Sequence, residues 1–239
     1  GAGGSSNNNT TCEIAQTIKE KYGIESAAHL PCINYTKEEI VKILGEFKKH
    51  GISNILALRG DINPDIPPKS DFKYASDLIS FIKRHGDFDI AGACYPEGHM
   101  ETENLVTDVL NLKKKIEAGA EHLISQLFFD NSYFYSFLER TQIAGIDVPI
   151  EAGIMPVTNK GQIERMVSMC GASLPPKFAK MIQKYEHSPE ALRDAGIAYA
   201  IDQIVDLVSN GVDGIHLYTM NNPYVAKRIS EAVESIIRS

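Results

Sequence analysis

Short apolar runs alternate with longer segments of helical period along the chain, joined by short links, and this alternation constrains the fold more than any other feature of the sequence. Strand, helix and strand with a brief return between them means parallel strands. Six runs read as strands, at 26–32, 54–59, 88–95, 122–129, 148–154 and 214–219. Several are apolar at nearly every position (ILAL, DIAGAC, LISQLFF), which suits strands covered on both faces. Helices are predicted at 11–22, from Thr36 to Gly51, and at 74–85, 104–118, 132–144, 159–169, 175–185 and 189–210. Thr36 and Glu39 give the T-x-x-E of a capping box, and Gly51, Gly86, Gly119 and Gly145 each follow a last periodic residue, where glycine ends helices.

A closed (β/α)8 barrel has eight strands, two more than are legible here. An open doubly wound sheet would be content with six, but a G-x-G-x-x-G turn should then follow a strand, and none does. The chain opens on GAGGSS, the kind of loop that normally follows a strand's carboxyl end. The expectation is therefore an α/β protein of (β/α)8 TIM-barrel type, a single barrel domain over 1–239, whose first strand, first helix and second strand lie upstream of Gly1.

Composition narrows the functional classes. Lys and Arg number 24 against 31 Asp and Glu, a net charge of -7, which argues against a nucleic-acid-reading surface. No stretch approaches the ~18 consecutive apolar residues of a membrane span, and no secretory leader opens the chain, so a soluble cytoplasmic protein is expected. Cys12, Cys32, Cys94 and Cys170 form no C-x-x-C pair and have no histidine at ligand spacing, so no metal site is expected and reduced thiols fit best.

Residues able to do chemistry gather where strands end. Arg59, Gly60 and Asp61 follow ILAL, placing a guanidinium, a bare backbone and a carboxylate on the rim where barrel active sites collect; a simple rim salt bridge is the alternative. The INPDIPP that follows is stiffened by Pro64, Pro67 and Pro68. Tyr95 to His99 brings a ring, a carboxylate and an imidazole together, although a lone loop histidine is more often merely solvated. On the next helix Asp108, Asn111 and Lys115 share an arc beside the apolar stripe of Leu105, Val109, Leu112 and Ile116, against the plainer reading of Lys113, Lys114 and Lys115 as a solvated flank. Gln126 interrupts LISQLFF; a buried amide needs a partner, either a ligand or a neighbouring strand's side chain. His29 poses the same question and reads as a satisfied core or rim histidine. Tyr218, Thr219 and Asn221 end the last strand and suit either a polar ring ligand or a turn.

In order along the chain, GAGGS, HLPCIN, ILALRGD, YASDL, AGACYPEGHME, NLKKKIEAGAEHLISQLFFD, GIDVPIEAGIMPV and HLYTMN resemble the methylenetetrahydrofolate reductases, flavoproteins of one-carbon metabolism. The resemblance implies a barrel holding FAD at the carboxyl ends of its strands. NADH or NADPH would reduce the flavin, which would then pass hydride to 5,10-methylenetetrahydrofolate and yield 5-methyltetrahydrofolate. It further implies that Ala2, His29, Arg59, Gly60, Asp61, Ala75, Tyr95, His99, Asp108, Asn111, Lys114 and Lys115 contact FAD, with the two lysines against its pyrophosphate. By the same likeness Gln126 and Gln162 meet folate, Gln126 lying also near the nicotinamide. Asp61 takes the catalytic place, its carboxylate disfavouring negative charge on the reduced flavin and favouring the cationic iminium of the folate.

Three departures accompany the likeness. The family's general acid is a glutamate in a first-strand word such as FEFFPP, which is not found here, and Glu97 and Glu101 stand on another loop. Thr102 stands where a smaller alanine is common, and Met166 where an aromatic sometimes stacks on the ligand. Two other classes remain in play: a non-catalytic flavin- or pterin-binding barrel acting as a partner subunit, and a corrinoid-linked methyltransferase barrel. Homo-oligomers stay open, as does the choice between NADH and NADPH.

Overall fold

The computed structural model describes residues 8–62 and 67–238; Ala2 and Pro64 lie outside them. Its six strands follow one another in the order β1-β2-β3-β4-β5-β6. They are β1 Ala27–Pro31, β2 Asn54–Leu58, β3 Asp89–Cys94, β4 His122–Ser125, β5 Ile150–Ile154 and β6 Gly214–Leu217. The helices are α1 Asn8–Tyr22, α2 Lys37–Lys49, α3 Ala75–His85, α4 Leu105–Glu117, α5 Asn131–Ile143, α6 Lys160–Cys170, α7 Pro176–Tyr185, α8 Pro189–Ser209 and α9 Pro223–Ile237. All six strands thus fall where the apolar runs place them, as do the eight helices predicted. The ninth, α9, follows Asn222, whose side chain accepts from Val225 N, with Pro223 at the first helical position. No described helix is long and apolar enough to cross a membrane.

Contacts gather the chain into two compact units, one over Gly1–Ala93 with Asn111–Leu123, the other over Cys94–Leu110 with Ile124–Ser239. In the first, β1, β2 and β3 pair in parallel, with His29 opposite Leu56 and Leu56 opposite Ala91. Leu30, Ile55, Ala57 and Ile90 are fully buried among Ile40, Leu44, Phe47, Leu78, Ile79 and Ile82 from α2 and α3. Each large apolar side chain so buried contributes roughly 1.5–3 kcal/mol. The capping box of α2 is fully formed: Glu39 N donates to Thr36 Oγ1 (3.2 Å) and Thr36 N donates to Glu39 Oε2 (2.7 Å).

In the second unit β5 and β6 are parallel, with Gly153 opposite His216. Beneath them Phe129 stacks on Phe178 at 4.5 Å, beside Leu127, Met155, Val157, Ile163 and Ile182. Two glycines permit close approaches that a methyl group would block. A Cβ on Gly196 of α8 would sit 1.7 Å from Val157 O, and one on Gly153 would sit 2.2 Å from Ser125 O. β4 stops at Ser125, four residues short of the predicted 129, because Leu127 N turns back to the Gln126 side-chain oxygen (3.0 Å). Phe128 and Phe129 are core residues beyond the strand, fully buried, Phe128 stacked on Phe134 of α5.

Candidate functional site

In the first unit the ladder between β1 and β2 continues past the strand ends. Cys32 N donates to Leu58 O (3.0 Å) and Arg59 O (3.1 Å), and Ile33 N to Arg59 O (2.8 Å). Gly60 then turns at φ +91°, where any Cβ would press on Pro31 Cβ at 3.0 Å and Ile33 Cγ2 at 3.2 Å, so only glycine fits without strain. That turn delivers Asp61 to the surface as an exposed carboxylate, with the half-buried Arg59 on its other side. His29 lies on the opposite face of β1 from buried Ala28 and Leu30 and is exposed, which excludes a core histidine. Ala75 opens α3 and is buried. Cys32, fully buried, donates weakly to Arg59 O and Tyr74 O at 3.7 and 3.8 Å; burial pushes its thiol up to about 12, which makes it inert rather than nucleophilic.

The lysine run divides. Lys115, half-buried, donates to Ala93 O at 2.6 Å, while Lys114 is exposed and donates to Asn111 Oδ1 at 2.9 Å. A plain solvated flank is therefore wrong for Lys115. It is also wrong for Asp108, only 7% exposed, whose Oδ1 accepts from His99 N (3.2 Å) and Thr102 Oγ1 (3.4 Å) in the second unit.

The segment after β3 is tied at several points. Tyr95 and His99 meet edge to face at 4.6 Å, His99 Nδ1 accepts from Glu101 N at 3.1 Å, and Gly98 turns the chain at φ +89°. His99 is thus a partnered histidine, not a solvated one. Glu97 accepts from Ser173 N with both carboxylate oxygens (3.2 and 3.0 Å). Arg140 of α5, which no motif singled out, donates from Nη2 to Pro96 O at 2.8 Å. Burial lowers its pKa, with the Asp108 carboxylate acting the other way.

At the ends of β4, β5 and β6 a second cluster forms. Buried Ser125 donates to Gln126 O (3.0 Å), receives Gly153 N on its hydroxyl (2.8 Å) and receives the Tyr218 hydroxyl on its carbonyl (2.8 Å). Burial raises the Tyr218 phenol far above its ordinary value, so it acts as a neutral donor. Met220 and Asn221 both hold positive φ (49° and 56°), an uncommon pair for residues other than glycine, so the turn reading holds for this end. Beside the turn opens a cleft of about 390 Å³ lined by Thr158, Gln162, Arg165, Met166, Thr219 and Asn222 among others. Gln162 is fixed there: its side-chain Oε1 accepts from Thr158 N (3.0 Å) and Thr158 Oγ1 (3.2 Å), and its backbone N–H donates to the Asn159 cap (2.9 Å). Gln126 is not among the cleft-lining residues; its amide oxygen is held by Leu127 N. Among the described residues no group of three His, Cys, Asp or Glu is placed to hold a metal.

Parallel strands in sequence order, with polar side chains collected past their carboxyl ends, define an α/β protein of the TIM-barrel-like class. The family model for methylenetetrahydrofolate reductase matches residues 1–234, and the chain belongs to that family. A 5,10-methylenetetrahydrofolate reductase of Pectobacterium carotovorum is 40% identical over 211 residues, covering 88% of this chain and 70% of the relative. The Escherichia coli protein of the same name is 39% identical, over 88% of this chain and 71% of its own. Among solved structures, an uncharacterized protein from Clostridium thermocellum that binds two copies of 5-methyl-5,6,7,8-tetrahydrofolic acid superposes with a TM-score of 0.61 at 16% identity, covering 94% of this chain and 78% of that one. A phosphoenolpyruvate phosphomutase from Streptomyces platensis gives 0.53 at 13% identity, over 98% and 69%. At such identities these two likenesses speak for the fold alone.

Proposed function

We propose that the protein is an FAD-dependent reductase that converts 5,10-methylenetetrahydrofolate to 5-methyltetrahydrofolate with NADH or NADPH. The observation that carries this reading is Gln162, its side chain fixed by Thr158 in a cleft with Met166 on its wall. The cleft wall is mixed, with Pro156, Met166, Met220 and Val225 beside Thr158, Asn159, Gln162, Arg165, Thr219 and Asn222, and a flat amphipathic ring compound needs both kinds of contact. Methionine adapts to a ring without imposing one stacking geometry.

The chain's own groups fit a flavin dinucleotide by their chemistry. Lys114 offers an exposed ammonium for phosphate oxygens, and Lys115, held on Ala93 O, adds positive charge beside it. Asp61 offers an exposed acceptor carboxylate, while Tyr95 and His99 offer a fixed pair of rings. With His29, Arg59, Gly60, Ala75, Asp108 and Asn111 these are the residues that would hold FAD. When bound, FAD supplies a two-electron carrier between the nicotinamide and the folate. Asp61 contributes fixed negative charge, which opposes the build-up of further negative charge next to it and so favours onward transfer of hydride. Gln162 orients the folate from the cleft, and Gln126, which lies outside the cleft lining, is assigned to it by the family likeness alone.

The purified protein is expected to be yellow, to bleach under anaerobic NADH or NADPH, and to regain colour with methylenetetrahydrofolate. Colourless protein that takes up neither flavin nor folate sinks this reading. Bleaching with no recolouring replaces it by a flavin-binding partner subunit.

A further inference from the structure

We propose that Arg140 is a positioning residue: reaching from α5 to the Pro96 carbonyl, it sets the segment after β3 from which Tyr95 and His99 meet the cofactor. The cofactor part of this rests on the FAD-dependent reading; the hold on the segment does not.

Pro96 has no N–H, so its carbonyl is its only backbone hydrogen-bonding group, placed where the strand gives way to the Gly98 turn. Arg140 Nη2 takes that carbonyl at 2.8 Å with a charged donor, which makes a stronger bond than a neutral one. Backbone bonds also hold the segment, from Gly98 N to Tyr95 O (3.0 Å) and from Gln126 N to Cys94 O (2.7 Å), and other side chains hold it further along. Asp108 receives His99 N and Thr102 Oγ1, and Glu97 receives Ser173 N. Among these side chains, Arg140 is the one that holds the backbone of the residue following Tyr95.

Core stability by itself does not account for the choice of residue. Among the described residues, Arg140 Nε is a buried side-chain nitrogen with no hydrogen-bond partner. A methionine of similar length would fill the same channel without a desolvated charge or an orphaned N–H, and such replacements are often neutral or stabilising. The arrangement accepts an unfavourable nitrogen in order to deliver a guanidinium to one carbonyl, as expected where geometry matters more than stability.

The test uses the full chain as Arg140→Met and Arg140→Lys, with hydrogen exchange resolved by segment and titrations with FAD and with 5-methyltetrahydrofolate. For Arg140→Met, amides in 97–102 should exchange about tenfold faster or more, the size of one lost charge-assisted hydrogen bond. Exchange elsewhere should stay unchanged. FAD should bind about tenfold more weakly, and 5-methyltetrahydrofolate within about twofold of the parent. Lysine, which can still donate to Pro96 O, should recover part of both losses. Unaltered exchange in 97–102 overturns the proposal, as does a uniform rise across the chain that lysine does not relieve. If the parent chain binds no FAD while Arg140→Met still loosens 97–102, the cofactor reading fails and the positioning of the segment stands.

Discussion

Gly153→Ala tests whether the approach of β4 to β5 sets the second polar cluster. The added Cβ would lie 2.2 Å from Ser125 O, 2.8 Å from Tyr218 Cε2 and 3.2 Å from Ser125 C, well inside the ~3.5 Å of a favourable contact. The first obstacle is backbone and cannot swing aside. Overpacking of this kind costs about 1–3 kcal/mol. Any shift that relieves it also lengthens two hydrogen bonds at Ser125, from Gly153 N and from the Tyr218 hydroxyl, each 2.8 Å and each worth about 1 kcal/mol. The expected loss is thus about 3–5 kcal/mol, against a typical domain total of about 5–15. In a chain of this size that corresponds to roughly 6–20 °C in Tm. Gly45→Ala is the control: it lies within α2 with nothing within 4 Å of an added methyl, and should gain about 0.5–1 kcal/mol from helix propensity. Urea unfolding of both variants, followed by circular dichroism, measures the two signs. A Gly153→Ala protein within about 0.5 kcal/mol of the parent would show that this approach is not tight and would refute the reasoning.

Other perturbations read single features. Thr36→Ala removes the side-chain half of the α2 capping box and should cost about 1 kcal/mol in the same urea assay. Asn131 and Tyr135 donate to Asp206 and hold its carboxyl below the usual range, so this contribution is present above the unfolded value near ~3.9 and is lost as pH falls through the folded one; the group is exposed, so Asp206→Asn should change acid stability by less than about 1 kcal/mol. Burial and then Asp206 push the Tyr135 phenol up to about 12, a contribution complete below the unfolded value near ~10 and lost as pH rises towards 12; Asp206→Asn should lower that titration, and phenolate absorbance that does not move would contradict the assignment. Asp61→Asn should raise the midpoint potential of bound flavin and slow folate reduction, measured by dye-equilibrated titration and stopped flow; an unchanged potential with unchanged turnover removes Asp61 from the catalytic role.

What the sequence reveals here divides by the range of the interaction. Thr36 with Glu39, and Gly86 or Gly145 after a helix, are contacts within a few residues, so their spacing carries the geometry. The apolar strands are legible because burial on both faces leaves little else they can be. The same local logic would have found α9, since Asn222-Pro223 is a cap followed by a first-turn proline. It misplaces the end of β4 because Phe128 and Phe129 continue the apolar run while the backbone turns away after Gln126, whose N–H still donates to Cys94 O (2.7 Å). Residues whose role depends on distant partners are illegible. Lys115 looks like one of three surface lysines until its ammonium is found on Ala93 O, and nothing in ERTQI says that Arg140 reaches 44 residues back to Pro96. Ser125 hides in the same way, a small polar residue in an apolar word that turns out to join Gly153 and Tyr218. The candidate site is built mainly of such long-range ties, so a family likeness can name its residues while only the folded chain shows which of them are held, and by what.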